Sequence, residues 1–143
     1  MKKLLPAALI LLGVAAACVE LFPTAEGQEK GKTRPLTTHD LMEGVFEHHH
    51  ESLAELLKGG LKDKRSVKVA VRNASLLNEC SYILMADGRC PSAEWKEACD
   101  TLRHCSEVLI KKIQAQDVEG ANGAFKAMNK SCAGCHKKHK TKK

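Results

Sequence analysis

The sequence predicts an all-α fold, and more specifically an antiparallel up-down four-helix bundle. Three observations lead to this prediction. First, its 143 residues include only one Trp, one Tyr and three Phe, a composition unsuited to a β-sandwich or barrel. Second, apolar residues recur at three- and four-residue spacing in four successive blocks. Third, capping or turn residues separate these blocks. We place one domain, the bundle, at residues 36–143, because the length leaves no room for a second core.

The N-terminal segment, residues 1–17, is predicted to be a secretory signal. Its basic start precedes an apolar run of 14 residues, Leu4–Ala17, which suits export and is too short for a comfortable transmembrane helix. Cleavage could follow Ala17, as in a bacterial lipoprotein with Cys18 acylated, or as ordinary signal cleavage there or near residue 25. We therefore expect a periplasmic or otherwise extracytoplasmic protein, tethered to the membrane if Cys18 carries lipid. Residues 18–35, rich in Pro and Gly, are predicted to be a flexible tether.

The first helix is predicted over residues 37–58. Thr37 and Asp40 form a capping box at its start, and Gly59-Gly60 supplies the C-terminal stop. Its inner face comprises Leu41, Met42, Val45, Phe46, His49, Leu53, Leu56 and Leu57. Three consecutive histidines, 48–50, point about 100° apart and cannot converge on one ion. We expect His49 to be half-buried and its two neighbours to be solvated.

The other three helices follow the same pattern. The second is predicted over residues 63–86 and ends at a turn, 87–91. Ser92 caps the third and Asp117 begins the fourth. No helix could bury its apolar stripe alone, which is why we predict a bundle. The three stripes are Val67, Ala70, Val71, Ala74, Leu77, Ser81, Leu84 and Met85; Trp95, Cys99, Leu102, Cys105, Leu109 and Ile113; and Ala121, Ala124, Phe125, Met128, Cys132, Cys135 and His139.

The strongest chemical signal is Cys132-Ala133-Gly134-Cys135-His136 near the end of the fourth helix. This spacing is typical of covalent c-type haem attachment, with two thioethers and an axial histidine. A redox dithiol normally opens a helix beside a strand, and none is predicted here. Zinc held by Cys132, Cys135, His136 and His139 is disfavoured, because four ligands within eight residues of one helix cannot easily surround an ion. We therefore predict one haem c, bonded to Cys132 and Cys135 with His136 on the iron.

A four-helix bundle with this motif on its last helix resembles the class II cytochromes c, cytochrome c-prime and its low-spin relatives, over residues 36–140. In that family the motif is commonly followed, after two residues, by an aromatic and a basic residue; His139 replaces the aromatic one here. In low-spin members the first helix donates a Met, which implies Met42 as the sixth iron ligand. His39, on the same face, is the alternative. An open site crowded by Leu41 or Met42, as in cytochrome c-prime, is the third option.

Four cysteines remain after Cys18 and the motif are set aside, and an even number in an oxidising compartment favours disulfides. If the second and third helices fold back at the turn, Cys80 and Cys99 fall at the same height and could bridge. Cys90 and Cys105 would lie about 20 Å apart along the helix and cannot pair. We predict the Cys80–Cys99 bridge alone.

The predicted function is electron transfer by an exported monohaem cytochrome. The formal charge of +6 falls to +4 once Lys2 and Lys3 leave with the signal. The clustered Lys130, Lys137 and Lys138 would face an acidic redox partner. The sequence has no aromatic or Arg-rich surface of the kind that recognises nucleic acid, so we predict no nucleic-acid binding.

The alternative function is binding of nitric oxide or carbon monoxide at a five-coordinate haem. No nucleophile with a base and no paired carboxylates are apparent, so we predict no enzyme activity; a homodimer remains open.

Overall fold

A computed structural model describes residues 33–140 of the chain. The predicted signal, Cys18 and residues 18–32 of the predicted tether lie outside this range. Within it the chain forms four helices and no β-strand. The predicted all-α class is therefore confirmed.

Helix α1 is continuous but changes its winding along its length. It is α-helical over Thr38–Leu41, π-helical over Met42–Glu47 and α-helical again over His48–Lys58. The capping box at its start is confirmed, since the Thr37 hydroxyl accepts the Asp40 N–H and the Asp40 carboxylate accepts the Thr37 N–H. A π-helical stretch is rare and is frequently found at functional sites. The sequence analysis predicted a regular α-helix here.

The other helices are α2 (Lys64–Met85), α3 (Ala93–Gln114) and α4 (Val118–His139). Each begins at a side chain that accepts a backbone N–H three residues ahead: Asp63 from Ser66, Ser92 from Trp95, and Asp117 from Gly120. These bonds satisfy amide groups that have no partner inside a helix. The predicted caps at Ser92 and Asp117 are confirmed.

The helices pack in chain order, α1 on α2, α2 on α3 and α3 on α4, with a smaller contact between α1 and α4. Their apolar faces form two clusters. The large cluster comprises Leu53, Leu57, Leu61, Ala70, Ala74, Leu77, Leu102, Cys105, Leu109, Ile113, Ala121 and Met128. The small cluster comprises Leu41, Cys80, Leu84, Trp95 and Cys99. Burying each large apolar side chain contributes about 1.5–3 kcal/mol, so the large cluster supplies most of the stabilisation.

The histidine run does not behave entirely as expected. His49 is half-buried, as predicted, and its Nδ1 lies 3.2 Å from Asn73 Oδ1. His50 was expected to be solvated, which is wrong. Its Nε2 lies 2.7 Å from Asn129 Oδ1, and its ring stacks on Phe125 with the centroids 4.9 Å apart. His50 thus links α1 to α4.

Two glycines provide a matched test of the backbone. A Cβ added at Gly44 or at Gly60 would meet no atom within 4 Å, but Gly60 has φ +79°. We expect Gly44→Ala to raise the free energy of unfolding by about 0.5–1 kcal/mol, because alanine favours the helix. Gly60→Ala should lower it by about 1–2 kcal/mol, because the left-handed conformation is strained for alanine. Urea denaturation followed by circular dichroism measures both; equal effects would contradict this account of the two positions.

Candidate functional site

The two motif cysteines lie one turn apart near the end of α4, both half-buried. Cys135 packs against the small cluster, and Met42 of the π-helical segment packs against the same cluster. The structure thus brings Met42, the predicted sixth ligand, and Cys135, a predicted attachment cysteine, to one apolar core. Because these residues come from opposite ends of the described chain, only the tertiary fold could establish their proximity.

Burial raises the pKa of the Cys132 and Cys135 thiols above its ordinary value. A backbone hydrogen bond of Cys132 lowers the pKa of its thiol, and neighbouring Cys135 and Cys105 raise it by smaller amounts. Both groups are therefore protonated thiols near neutral pH. They are inert as thiolate nucleophiles, which does not fit a redox dithiol with a low pKa.

His136, the residue after Cys135, remains exposed on the last turns of α4. Partial desolvation lowers the pKa of its ring, and the positive charge of Lys140 lowers it further. The neutral ring that results at neutral pH has a free nitrogen lone pair, the form in which histidine binds metals. His136 is therefore accessible and in the right protonation state for an axial ligand.

The two candidates for the sixth ligand have different surroundings. His39 Nε2 lies 3.5 Å from Glu43 Oε1, and the His39 side chain is 38% exposed. Met42 is half-buried against the small cluster. Of the two, Met42 shares its surroundings with Cys135.

Trp95, a member of the small cluster, packs against His139. Trp95 Nε1 donates to the Leu84 carbonyl at 2.9 Å, tying the start of α3 to the end of α2. The His139 ring meets the indole edge-to-face with the centroids 5.2 Å apart, and its Nε2 lies 3.4 Å from Ser92 Oγ. His139 therefore makes a packing contact with an aromatic ring.

The remaining cysteines divide between the clusters. Cys80 and Cys99 are both buried in the small cluster, Cys90 packs on it, and Cys105 belongs to the large cluster. Cys80 and Cys99 are free thiols in this structure, and the bridge between them stays a prediction. Burial, with smaller contributions from Cys135 and Cys90, raises the pKa of Cys99 to about 12.

Sequence reasoning missed Arg89, which lies in the turn between α2 and α3. Only 1% of this residue is exposed. A charged residue flanked by Gly88 and Cys90 in a turn is expected at the surface, because arginine is almost never buried without a partner. No signal in the sequence pattern predicts its burial.

The basic residues near the motif are not equivalent. Lys138 Nζ lies 2.8 Å from Glu94 Oε1, so its charge is paired. Exposed Lys130, Lys137 and Lys140 carry the positive charge at this end of α4.

Over residues 33–140, no three side chains of His, Cys, Asp or Glu are grouped as a metal site. In the same range no helix combines the length and hydrophobicity that a membrane span requires.

The Trp95–Leu84 hydrogen bond can be tested by Trp95→Phe. Phenylalanine keeps an aromatic ring in the small cluster but leaves the Leu84 carbonyl without this donor. We expect the free energy of unfolding to fall by about 1–3 kcal/mol, the cost of a buried unsatisfied group together with some lost packing. Tyr82→Phe, at a residue 49% exposed, is the control and should change little. An equal, small effect of both substitutions in urea denaturation would contradict this role of Trp95.

Comparison with known proteins gives no match for this chain among family models, curated proteins or solved structures. The interpretation of the site therefore depends on its own residues and their arrangement.

Proposed function

We propose that this chain is an exported monohaem c-type cytochrome that transfers electrons. The observation that carries the proposal is the Cys132–His136 motif on α4, with Cys135 packed on the same apolar cluster as Met42. Haem supplies the reversible one-electron chemistry of its iron when bound. Cys132 and Cys135 would hold it by thioethers, and His136 would be one axial ligand.

We further propose that the four helices form an antiparallel up-down bundle. The composition of the small cluster supports this arrangement. Leu41 comes from the start of α1, Leu84 from the end of α2, Trp95 from the start of α3, and Cys135 from the end of α4. Such a set meets at one place when successive helices alternate in direction.

The residues around the motif fit a haem. The small cluster offers apolar side chains, which suit the porphyrin faces, and the two half-buried thiols lie at its border or on the adjoining turn. Neutral His136 can bind iron while the two thioethers prevent loss of the cofactor. These donors fit haem better than zinc. The Cys and His residues all lie on one helix, α4, and cannot easily surround a zinc ion tetrahedrally.

Met42 is the sixth ligand that we propose. It packs on the cluster that Cys135 borders, whereas His39 faces Glu43. Two axial ligands hold the iron in similar geometry in both oxidation states, and a Met ligand raises the reduction potential. Exposed Lys130 and Lys137 would attract an acidic redox partner to this end of the molecule.

A second candidate is a gas-binding haem protein with an open sixth position. Leu41, which is 3% exposed, lies at the centre of the small cluster beside Met42. An apolar residue in that place could cover the iron without binding it. Nitric oxide or carbon monoxide would then be the ligand.

Haem attachment is tested by expressing the full chain with a bacterial cytochrome maturation system. Mass spectrometry of the purified protein should show one covalent haem, and the same spectrum identifies the first residue and any acyl group on Cys18. A Cys132→Ser, Cys135→Ser double variant should lose the haem completely. The control Cys105→Ser leaves the motif intact and should retain it. A colourless wild-type protein from cells that mature another c-type cytochrome would contradict the proposal.

The only tryptophan provides an independent measurement. Trp95 lies in the small cluster that Cys135 borders, so its fluorescence should be quenched in the haem-bearing protein and restored by denaturation. Unquenched emission from the folded, haem-bearing protein would contradict placement of the haem at this cluster.

The sixth ligand is tested by Met42→Ala in the haem-bearing protein. We expect loss of the weak long-wavelength absorption of a Met–ferric iron bond, a high-spin spectrum and new binding of nitric oxide. His39→Ala, one turn away on the same helix, is the control and should keep the low-spin spectrum. If His39→Ala gives the change instead, His39 is the ligand. A wild-type spectrum that is already high-spin and shifts with nitric oxide favours the gas-binding candidate.

A further inference from the structure

Arg89 carries a buried positive charge whose hydrogen-bonding capacity is mostly unused. Its Nη2 donates to the Leu36 carbonyl at 2.6 Å. Its Nε and Nη1 are buried and have no hydrogen-bond partner among residues 33–140. A guanidinium presents five N–H donors, and leaving a buried charged group unsatisfied is costly. This arrangement indicates that a further acceptor belongs beside Arg89.

The carboxylate of Asp87 does not supply that acceptor. Asp87 Oδ2 lies 3.9 Å from Arg89 Nη1, beyond hydrogen-bond distance. The Asp87 oxygens already accept hydrogen bonds at 2.9–3.1 Å from the backbone N–H groups of Thr33 and Arg34 and from the Thr33 hydroxyl. Asp87 therefore holds residues 33–34 against the turn and forms an ion pair with Arg89, but it accepts none of the free N–H groups of Arg89.

A cavity of about 310 Å³ lies beside this arginine. The described part of the chain contributes no acidic side chain to its wall, which is mostly apolar. The lining residues are Arg34, Pro35, Leu36, Leu41, Ile83 and Arg89. Two positive charges on an apolar wall suit a carboxylate carried by an otherwise apolar molecule better than a small hydrated anion.

The cavity adjoins the proposed haem site. Leu41 lines the cavity and is also a member of the small cluster, and Ile83 lines the cavity and packs on that cluster. Met42 and Cys135 border the same cluster. A porphyrin held through its thioether edge carries its two propionates on the side away from the thioethers, so the carboxylates would lie away from Cys132 and Cys135.

We propose that Arg89 binds a haem propionate carboxylate in this cavity. This inference rests on the proposed function, because it requires haem on Cys132 and Cys135. Arg89 would act as a positioning residue: its unpaired N–H groups orient the cofactor edge, and its charge favours ferrous iron over ferric. The alternative source of the same chemistry is a free anion such as inorganic phosphate.

The test uses the full-length, haem-bearing protein and compares Arg89→Gln and Arg89→Lys with the control Arg72→Gln. Arg72 is an exposed residue of α2, so its substitution removes the same charge from the surface. The resonance Raman band of propionate bending reports hydrogen bonding to the carboxylate. We expect this band to shift in Arg89→Gln, to shift less in Arg89→Lys and to remain in place in Arg72→Gln. The reduction potential should fall more in Arg89→Gln than in the control.

Other results would overturn the inference. One is a propionate band and a potential in both Arg89 variants that match those of Arg72→Gln. Another is an unchanged band together with a melting temperature that phosphate raises in the wild type and not in Arg89→Gln; this identifies a free-anion site. If Arg89→Gln does not accumulate, Arg89→Lys decides alone. Absence of covalent haem from the wild type would instead refute the proposed function, which mass spectrometry shows before any variant is made.

Discussion

Burial of the small cluster is the constraint on which the candidate site depends. Leu41, Leu84 and Trp95 come from three helices and can leave water only together. Cys135 and Met42 pack on this cluster from α4 and α1, so their proximity is a consequence of apolar burial. The hydrogen bond from Trp95 to the Leu84 carbonyl is directional, unlike apolar burial. It fixes the position of the start of α3 against the end of α2.

The large cluster provides the stability that lets the small one carry unfavourable features. Leu53, Leu109 and Ile113 are completely buried there. The site end of the molecule contains a π-helical stretch and a buried arginine with two unsatisfied nitrogens, each less favourable than regular apolar packing. Features of this kind persist where the surrounding structure compensates for them and are typical of functional sites. Their concentration around Met42 and Arg89 supports locating function at this end.

The helices were predictable because their signals are local. Apolar periodicity and the side chains of Thr37, Ser92 and Asp117 determine where helices form and begin, and both are visible in the sequence. The motif at Cys132 and Cys135 was visible for the same reason. The π-helical stretch Met42–Glu47 was not, because residue pattern alone does not show a change in hydrogen-bond register. The contact of His50 with Asn129 and the burial of Arg89 depend on distant residues, which local patterns do not record.

Disulfide formation could compete with the proposed haem attachment at Cys135. Cys90 and Cys99 lie near Cys135, and the protein is proposed to mature in an oxidising compartment. A disulfide to Cys135 would remove a sulfur that haem attachment requires. Thiol–disulfide exchange proceeds through the thiolate, and burial raises the pKa of Cys99 to about 12 and also raises the pKa of Cys135. Very little thiolate exists on either residue near neutral pH, so formation of a disulfide between Cys99 and Cys135 is slow. The same apolar burial that gathers the site would therefore help to keep Cys135 reduced and available for the proposed haem attachment.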